Sequence, residues 1–398
     1  MGLKMQGRAG GPQGAVAPAG RLCDYRGQNP TLCPEELPMI RDLSDPRVDA
    51  LIQRHRNYWW NQEHNPAPRP LYQVVRAYSM ADTPDPHELE PPPLLDQRSF
   101  RTHIEEIYDQ HGLLNDDLFR LVGTGIASEV LVGCRIAVRA GTHWAEPCFT
   151  DWNQLDKYRV QGTIWYQRLL ENTRRAVEAL DTEKYPFCCM AFRAAADMAA
   201  AMLTAERLCD AVLDQPGKLK DLLARITDVI IETGVAHGAL LPRHQGGQFN
   251  SYGIWTPGRT VTFTVDAATY FSPACYEDIF LPFDQRLCAA FDTPFVHTHA
   301  SARQHFPGWL EIPNLGLQCV IDQAYLPEGV NQPIGPQLAE LLDDFKTIRR
   351  RKSLMIYGYW DERTLQLALD QLPPGGCAIL GMVEDPAAIR QKYIRRAA

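Results

Sequence analysis

From about residue 185 onward, short apolar or β-rich runs alternate with longer amphipathic ones. No other feature of the 398-residue chain narrows its possible folds as much. The short runs are Phe187 to Phe192, Ala239 to Pro242, Val261 to Val265, Phe295 to His297, Leu317 to Ile321, Leu354 to Tyr357 and Cys377 to Leu380. Apolar residues recur at helical spacing over Asp197 to Leu213, Gly217 to Thr233, Pro273 to Phe291, Gln337 to Arg351, Glu362 to Leu372 and Pro386 to Arg396. Strand followed by helix, repeated, implies parallel strands joined by crossover helices. A further strand expected near Glu129 to Gly133 brings the count to eight, the number in a closed barrel. An open doubly wound sheet is the competing architecture. Against it, no Gly-x-Gly-x-x-Gly follows a strand, since Gly123-Thr124-Gly125 lacks the third glycine, and there is no Walker-type phosphate loop. The expected fold is therefore α/β, a (β/α)8 TIM barrel over residues 96–398.

The barrel is preceded by an irregular, partly helical extension over residues 31–95, punctuated by Pro66-Ala67-Pro68-Arg69-Pro70 and Pro91-Pro92-Pro93. One helix is expected there, capped by Ser44 and running to about Trp60. Residues 1–30, rich in Gly, Ala and Pro at the start, read as a disordered lead-in without the apolar core of a secretory signal. Residues 96–180 read as mainly helical, interrupted from Gly123 to Pro147.

Composition excludes several classes. A net charge of −8 offers no basic face for nucleic acid or an anionic membrane. No stretch approaches the ~20 apolar residues of a membrane span, so a cytoplasmic location is expected. The 11 cysteines form no Cys-x-x-Cys pair and read as reduced, mostly buried residues.

In a barrel, chemistry gathers at the C-terminal ends of the strands. Phe295-Val296-His297-Thr298-His299 ends one of them, and alternation along a strand puts both imidazoles on the same side. Neutral imidazoles are good zinc ligands; the alternative is that one packs and the other is exposed. Cys377 follows two glycines at the last run, as a ligand or as a small core residue. Asp266, Asp322, Arg193 and His244 follow other runs and are candidate acid–base groups, ligands or substrate anchors. A helix cap or a loop hydrogen bond is the plainer role for each aspartate. Tyr357 and Tyr359, with Trp360 beside them, are candidates for an aromatic wall around a cofactor.

The stretch Phe192-Arg-Ala-Ala-Ala-Asp-Met-Ala-Ala-Ala-Met-Leu-Thr-Ala-Glu-Arg-Leu, followed by Leu213-Asp-Gln-Pro-Gly-Lys-Leu, resembles the uroporphyrinogen decarboxylase superfamily. So do Ser272-Pro-Ala-Cys-Tyr-Glu-Asp-Ile-Phe-Leu-Pro282, the His297-Thr-His segment and Gly376-Cys-Ala-Ile. The resemblance spans roughly residues 100–395 and implies a (β/α)8 barrel. Its haem-pathway branch decarboxylates a tetrapyrrole without metal and carries an N-terminal Arg-Gln-Ala-Gly-Arg-type loop, of which this chain has only Ala19-Gly20-Arg21. Its corrinoid-linked methyltransferase branch binds zinc through His-x-Cys and a distant Cys. That pattern implies zinc on His297, His299 and Cys377, with His299 standing where the family has cysteine. The chain lacks a corrinoid-binding Asp-x-His-x-x-Gly, so a corrinoid donor would arrive on a separate protein or free in solution.

The resulting expectation is a zinc-dependent methyltransferase acting on a small molecule, as a monomer or homodimer. Asp266 or Asp322 would complete the metal's coordination or position substrate. One alternative is a metal-independent decarboxylase holding carboxylates on Arg193 and His244, with Asp266 stabilising a protonated intermediate. The other is a non-catalytic binding protein on the same barrel.

Overall fold

The computed structural model describes residues 39–59, 69–76, 87–139, 142–157, 163–321 and 336–394. The lead-in over residues 1–30 and Asp322 lie outside these. Seven parallel strands form the central sheet: β1 (Leu71–Arg76), β7 (Ala191–Arg193), β10 (Thr260–Thr264), β11 (Thr293–His299), β12 (Gly316–Ile321), β13 (Leu354–Tyr359) and β14 (Cys377–Val383). Their spatial order is β1-β14-β13-β12-β11-β10-β7. From β10 to β14 nearly every residue is buried, as expected where both faces of a parallel sheet are covered.

The first strand of the described residues thus pairs with β14, as in a barrel, but among the described residues the strand pairing does not close into an eight-membered ring. Between β1 and β7 runs an irregular segment. The Asp117 amide donates to the Tyr72 carbonyl at 2.9 Å, and Val122 bridges in parallel to Phe187.

Two expected strands are not strands. Glu129 to Gly133 lies in a 3-10 helix, Ser128–Val132, ended by Gly133 in the left-handed region at φ 91°. Ala239 and Leu240 finish helix α6 (Pro216–Leu240), which begins with Pro216 at its first turn and runs on through the buried His237. The missing strand comes instead from the proline-rich stretch, as β1.

Crossover helices pack outside the sheet: α4 (Ala195–Leu203), α5 (Ala205–Asp214) and α6 (Pro216–Leu240) between β7 and β10, then α7 (Pro273–Ile279) and α8 (Leu281–Ala289) before β11. The short α9 (Phe306–Leu310) precedes β12, α10 (Leu338–Arg349) precedes β13, α11 (Glu362–Gln371) precedes β14 and α12 (Pro386–Ile389) follows it. The helix expected over Asp197 to Leu213 is two, broken at Thr204, whose φ is 101° and whose side chain caps α5 by accepting from the Arg207 amide. Pro282 likewise divides α7 from α8.

Outside this unit, α1 (Arg47–Trp59) starts where Asp45, rather than Ser44, accepts from the Arg47 amide. Its Trp59 packs under the sheet against Phe295. Gly316 leaves room for both rings, since a Cβ there would come within 2.4 Å of Trp59 and 2.6 Å of Phe295. The interruption expected after Gly123 contains β5 (Arg135–Arg139) and β6 (Thr142–Glu146), which lie between helices α2 (Gln97–His111) and α3 (Ile164–Ala179) and form a small antiparallel sheet with β2 (His87–Glu88), a strand that precedes α2. Two further strand pairs, β3 (Leu114–Asn115) with β4 (Leu118–Phe119) and β8 (Gly247–Phe249) with β9 (Trp255–Pro257), are antiparallel hairpins.

One core carboxyl links the fold to pH. Asp284 in α8 is buried and accepts from the Tyr276 hydroxyl at 2.5 Å and from Trp309 Nε1 at 3.3 Å, with no ion-pair partner among the described residues. Burial pushes its carboxyl up to about 7 against those donors. The folded chain therefore keeps a proton that the unfolded chain loses near its ordinary value of about 3.9. Stability falls as pH rises across this window. An Asp284→Asn variant, with no charge to bury, is expected to gain up to about 4 kcal/mol on the wild type between pH 4 and 8, read by urea unfolding at each pH. Parallel pH profiles for the two proteins would refute this.

Candidate metal centre

Register places the site. In parallel strands, residues directly paired share a face, and Arg193, Thr264, His297, Gln318, Met355 and Ala378 form one continuous row across β7 and β10 to β14. His299, Val320, Tyr357 and Leu380 form the next row toward the C-terminal ends, and Tyr359 stands beyond it opposite Met382. His297, His299, Tyr357 and Tyr359 therefore face the same side of the sheet, as alternation along the strands requires.

Asp266 joins the two histidines. It opens the 3-10 helix Asp266–Tyr270 immediately after β10, where the Val265 amide donates to the His297 carbonyl at 3.1 Å. One Asp266 Oδ1 atom lies 3.8 Å from His297 Nε2 and 3.8 Å from His299 Nε2. One ligand atom from each of the three residues falls within 4.8 Å of the others. That Oδ1 is shielded from solvent and accepts no hydrogen bond among the described residues. A buried carboxylate oxygen without a donor is costly unless a cation meets it.

The surroundings aim the imidazole. His297 Nδ1 contacts the side-chain oxygen of Gln318 and, at 2.9 Å, the Tyr252 hydroxyl, while the Tyr252 ring stacks on it at an interplanar angle of 11°. A proton on Nδ1, donated to the Gln318 oxygen, leaves the Nε2 lone pair directed at Asp266, the arrangement found behind metal-bound histidines. Zinc bonds of about 2.0–2.1 Å set tetrahedral donors roughly 3.3 Å apart. The 3.8 Å separations are close enough for small side-chain adjustments to reach that spacing.

Asp197, in the first turn of α4, fixes the loop that presents Asp266. Its carboxylate accepts from the Thr264 hydroxyl at 2.7 Å, the Asp266 amide at 3.0 Å and the Ala267 amide at 2.7 Å. Burial, and then the nearby Asp266 charge, push the Asp197 carboxyl up to about 7. Arg193 is tied through Nε to Glu129 at 2.7 Å, and its amide donates to the Ser128 hydroxyl at 3.0 Å. Burial opposes the Arg193 charge, but the carboxylates of Glu129, Asp197 and Asp266 outweigh it and raise its pKa.

Other sequence candidates fall elsewhere. Cys377 is not part of the group. It opens β14, three strand spacings from β11, or about 14 Å along the sheet. Its buried thiol sits near Tyr58 and Arg349, with its pKa pushed up to about 11 by burial, so it stays protonated at neutral pH. His244 lies in the turn after α6, stacked on Phe249, with its pKa lowered by burial. Tyr357 and Tyr359 line the face of the site, whereas Trp360 is buried in the core.

Asp197, Glu129, Tyr252 and Gln318 were not singled out from sequence. Asp197 had a readable signal, a single carboxylate in the otherwise apolar helix Ala195–Leu203, and Glu129 likewise interrupts an apolar run. Tyr252 had none, because its position depends on the shape of the 250–254 loop.

No protein-family model matches the chain, and no curated protein is recognisably similar to it. Among solved structures, the fold is similar to a methyltransferase from Methanosarcina mazei, with a TM-score of 0.52 and 11% identity, covering 87% of this chain and 94% of that one. At that identity, the likeness shows a shared fold. Among the described residues, no helix is long and apolar enough to cross a membrane.

Proposed function

We propose that the chain is a metal-dependent methyltransferase whose metal is held by Asp266, His297 and His299. The observation that carries this reading is the convergence of three ligand atoms within 4.8 Å at the ends of two adjacent strands, one of them a shielded carboxylate oxygen that accepts no hydrogen bond among the described residues. The fold shared with a methyltransferase supports the reaction class. Two imidazoles and one carboxylate match the donor set of catalytic zinc sites, which keep a position open for substrate. Zinc bound there would lower the pKa of a substrate thiol or similar nucleophile, readying it to take a methyl group.

The chain's own residues supply the rest. Asp197 holds the Asp266 loop, Gln318 and Tyr252 fix His297, and Tyr357 and Tyr359 face the same side as a wall for substrate or donor. The methyl donor in this reading is a corrinoid presented by a separate protein.

The test is methyl transfer from methylcobalamin to a panel of thiols, before and after stripping with a strong chelator. The expected result is a loss of at least about tenfold on chelation, restored by zinc, in line with the effect of disturbing a metal's environment. Turnover that is indifferent to chelation would overturn the proposal and favour the decarboxylase reading. That reading has less support, because His244 lies apart from the site and Arg193 is already paired with Glu129.

A further inference from the structure

Cys134 and Cys148 bracket the β5–β6 hairpin. Cys134 precedes the first registered pair, Arg135 opposite Glu146, and Cys148 follows it on the returning strand. Their sulfurs are 3.3 Å apart, so closure to a disulfide bond of about 2.05 Å needs an approach of little more than 1 Å. Neither is in a disulfide; Cys134 is buried and Cys148 half-buried. The Cys148 thiol also donates to the Val132 carbonyl at 3.4 Å. Cys134 borders a cavity of about 480 Å³, with Glu88, Glu90, Arg135, Thr163 and Trp165, and the half-buried Cys148 is itself partly open to a small reagent.

The pair also joins two elements that frame the metal centre. Cys134 follows the 3-10 helix carrying Glu129, the partner of Arg193. The Cys148 amide donates to the Met202 carbonyl near the end of α4, the helix that begins beside Asp197.

We propose that Cys134 and Cys148 form a redox-active dithiol that closes into a disulfide by exchange with a small-molecule disulfide of the glutathione type. The Cys148 thiolate attacks one sulfur of the oxidant, giving a mixed disulfide and releasing one small thiolate. Cys134 then loses its proton to solvent or to that thiolate and attacks the Cys148 sulfur, expelling the second. Two protein thiols are oxidised while one small disulfide is reduced to two small thiols. The hydrogen bond from Cys134 favours the thiolate of Cys148, which suits it to the first attack. The closed bond pins the open end of the hairpin between the supports of Arg193 and Asp266. The inference does not depend on the metal reading.

The test equilibrates the full-length protein in glutathione buffers of increasing oxidised fraction, traps thiols by alkylation and maps peptides by mass. The expected result is a loss of two hydrogens' mass, with the peptides containing Cys134 and Cys148 linked and the remaining cysteines alkylated, reversible by dithiothreitol. In Cys134→Ser, the remaining Cys148 should instead carry glutathione. Full alkylation of both thiols under the most oxidising buffer, or an intramolecular disulfide at any other pair, would overturn the proposal.

Discussion

Protein purified without a histidine tag is expected to carry about one equivalent of zinc, and Asp266→Ala, His297→Ala and His299→Ala are each expected to lose it. Each variant removes one of three donors. The loss in affinity should exceed the roughly 10–100-fold that follows from disturbing a hydrogen-bond partner of a ligand. Far-UV circular dichroism should remain native, because the His299 and Asp266 side chains are only half-buried. Cys377→Ser supplies the contrast. Its thiol lies in another row of the sheet with its pKa pushed to about 11, so its removal should leave the metal in place. Elemental analysis of the four variants decides between the two donor sets. Zinc lost from Cys377→Ser but kept in Asp266→Ala would reinstate the set implied by sequence and refute the one assembled here. No zinc in the wild type, even after reconstitution, would make the histidines substrate or structural groups.

The second large effect is expected at Asp197. In Asp197→Ala, the Thr264 hydroxyl and the Asp266 and Ala267 amides lose their acceptor together. An orphaned buried donor costs about 1–3 kcal/mol, and relief of the buried carboxyl offsets part of the total, so a net loss of about 3–5 kcal/mol is expected in chemical denaturation. Asp197→Asn keeps an acceptor oxygen in the same volume and should fold. Its weaker grip on the Asp266 loop should cost about 10–100-fold in metal affinity without removing any ligand. This separates positioning from mere stability: a purely structural aspartate would lower the unfolding free energy and leave the affinity of the folded fraction unchanged. Unchanged affinity and stability in both variants would refute the role.

The expected architecture was legible where burial was uniform. From β10 to β14 the strands are apolar runs covered on both faces, and each was anticipated within a few residues. The reading failed where one face of a segment is polar or the chain is broken by prolines. β1 lies among prolines yet pairs along its whole length with β14. Glu129 to Gly133 resembles a strand by its Val-Leu-Val run, but the glycine's left-handed backbone curls it into a 3-10 turn. Ala239 to Pro242 reads as a strand because α6 extends about two turns beyond Thr233, where its apolar spacing ends.

The site was half visible. His297 and His299 follow from alternation alone, and Asp266 from its place after a strand. Their joining into one group with Cys377 left out depends on register across strands, which spacing within one strand does not specify. Asp322, the other aspartate considered, lies outside the described residues.

The pairing of β1 with β14 also governs the order in which the molecule can be made. About 300 residues separate the two strands in the chain, and at ribosomal rates of about 5–20 residues per second this interval takes roughly 15–60 s. Throughout that time β1 awaits its neighbour, and an unpaired strand edge invites association with other nascent chains. The yield of the newborn protein in a cell is therefore expected to respond to chaperones that cover strand edges more than its equilibrium stability would suggest.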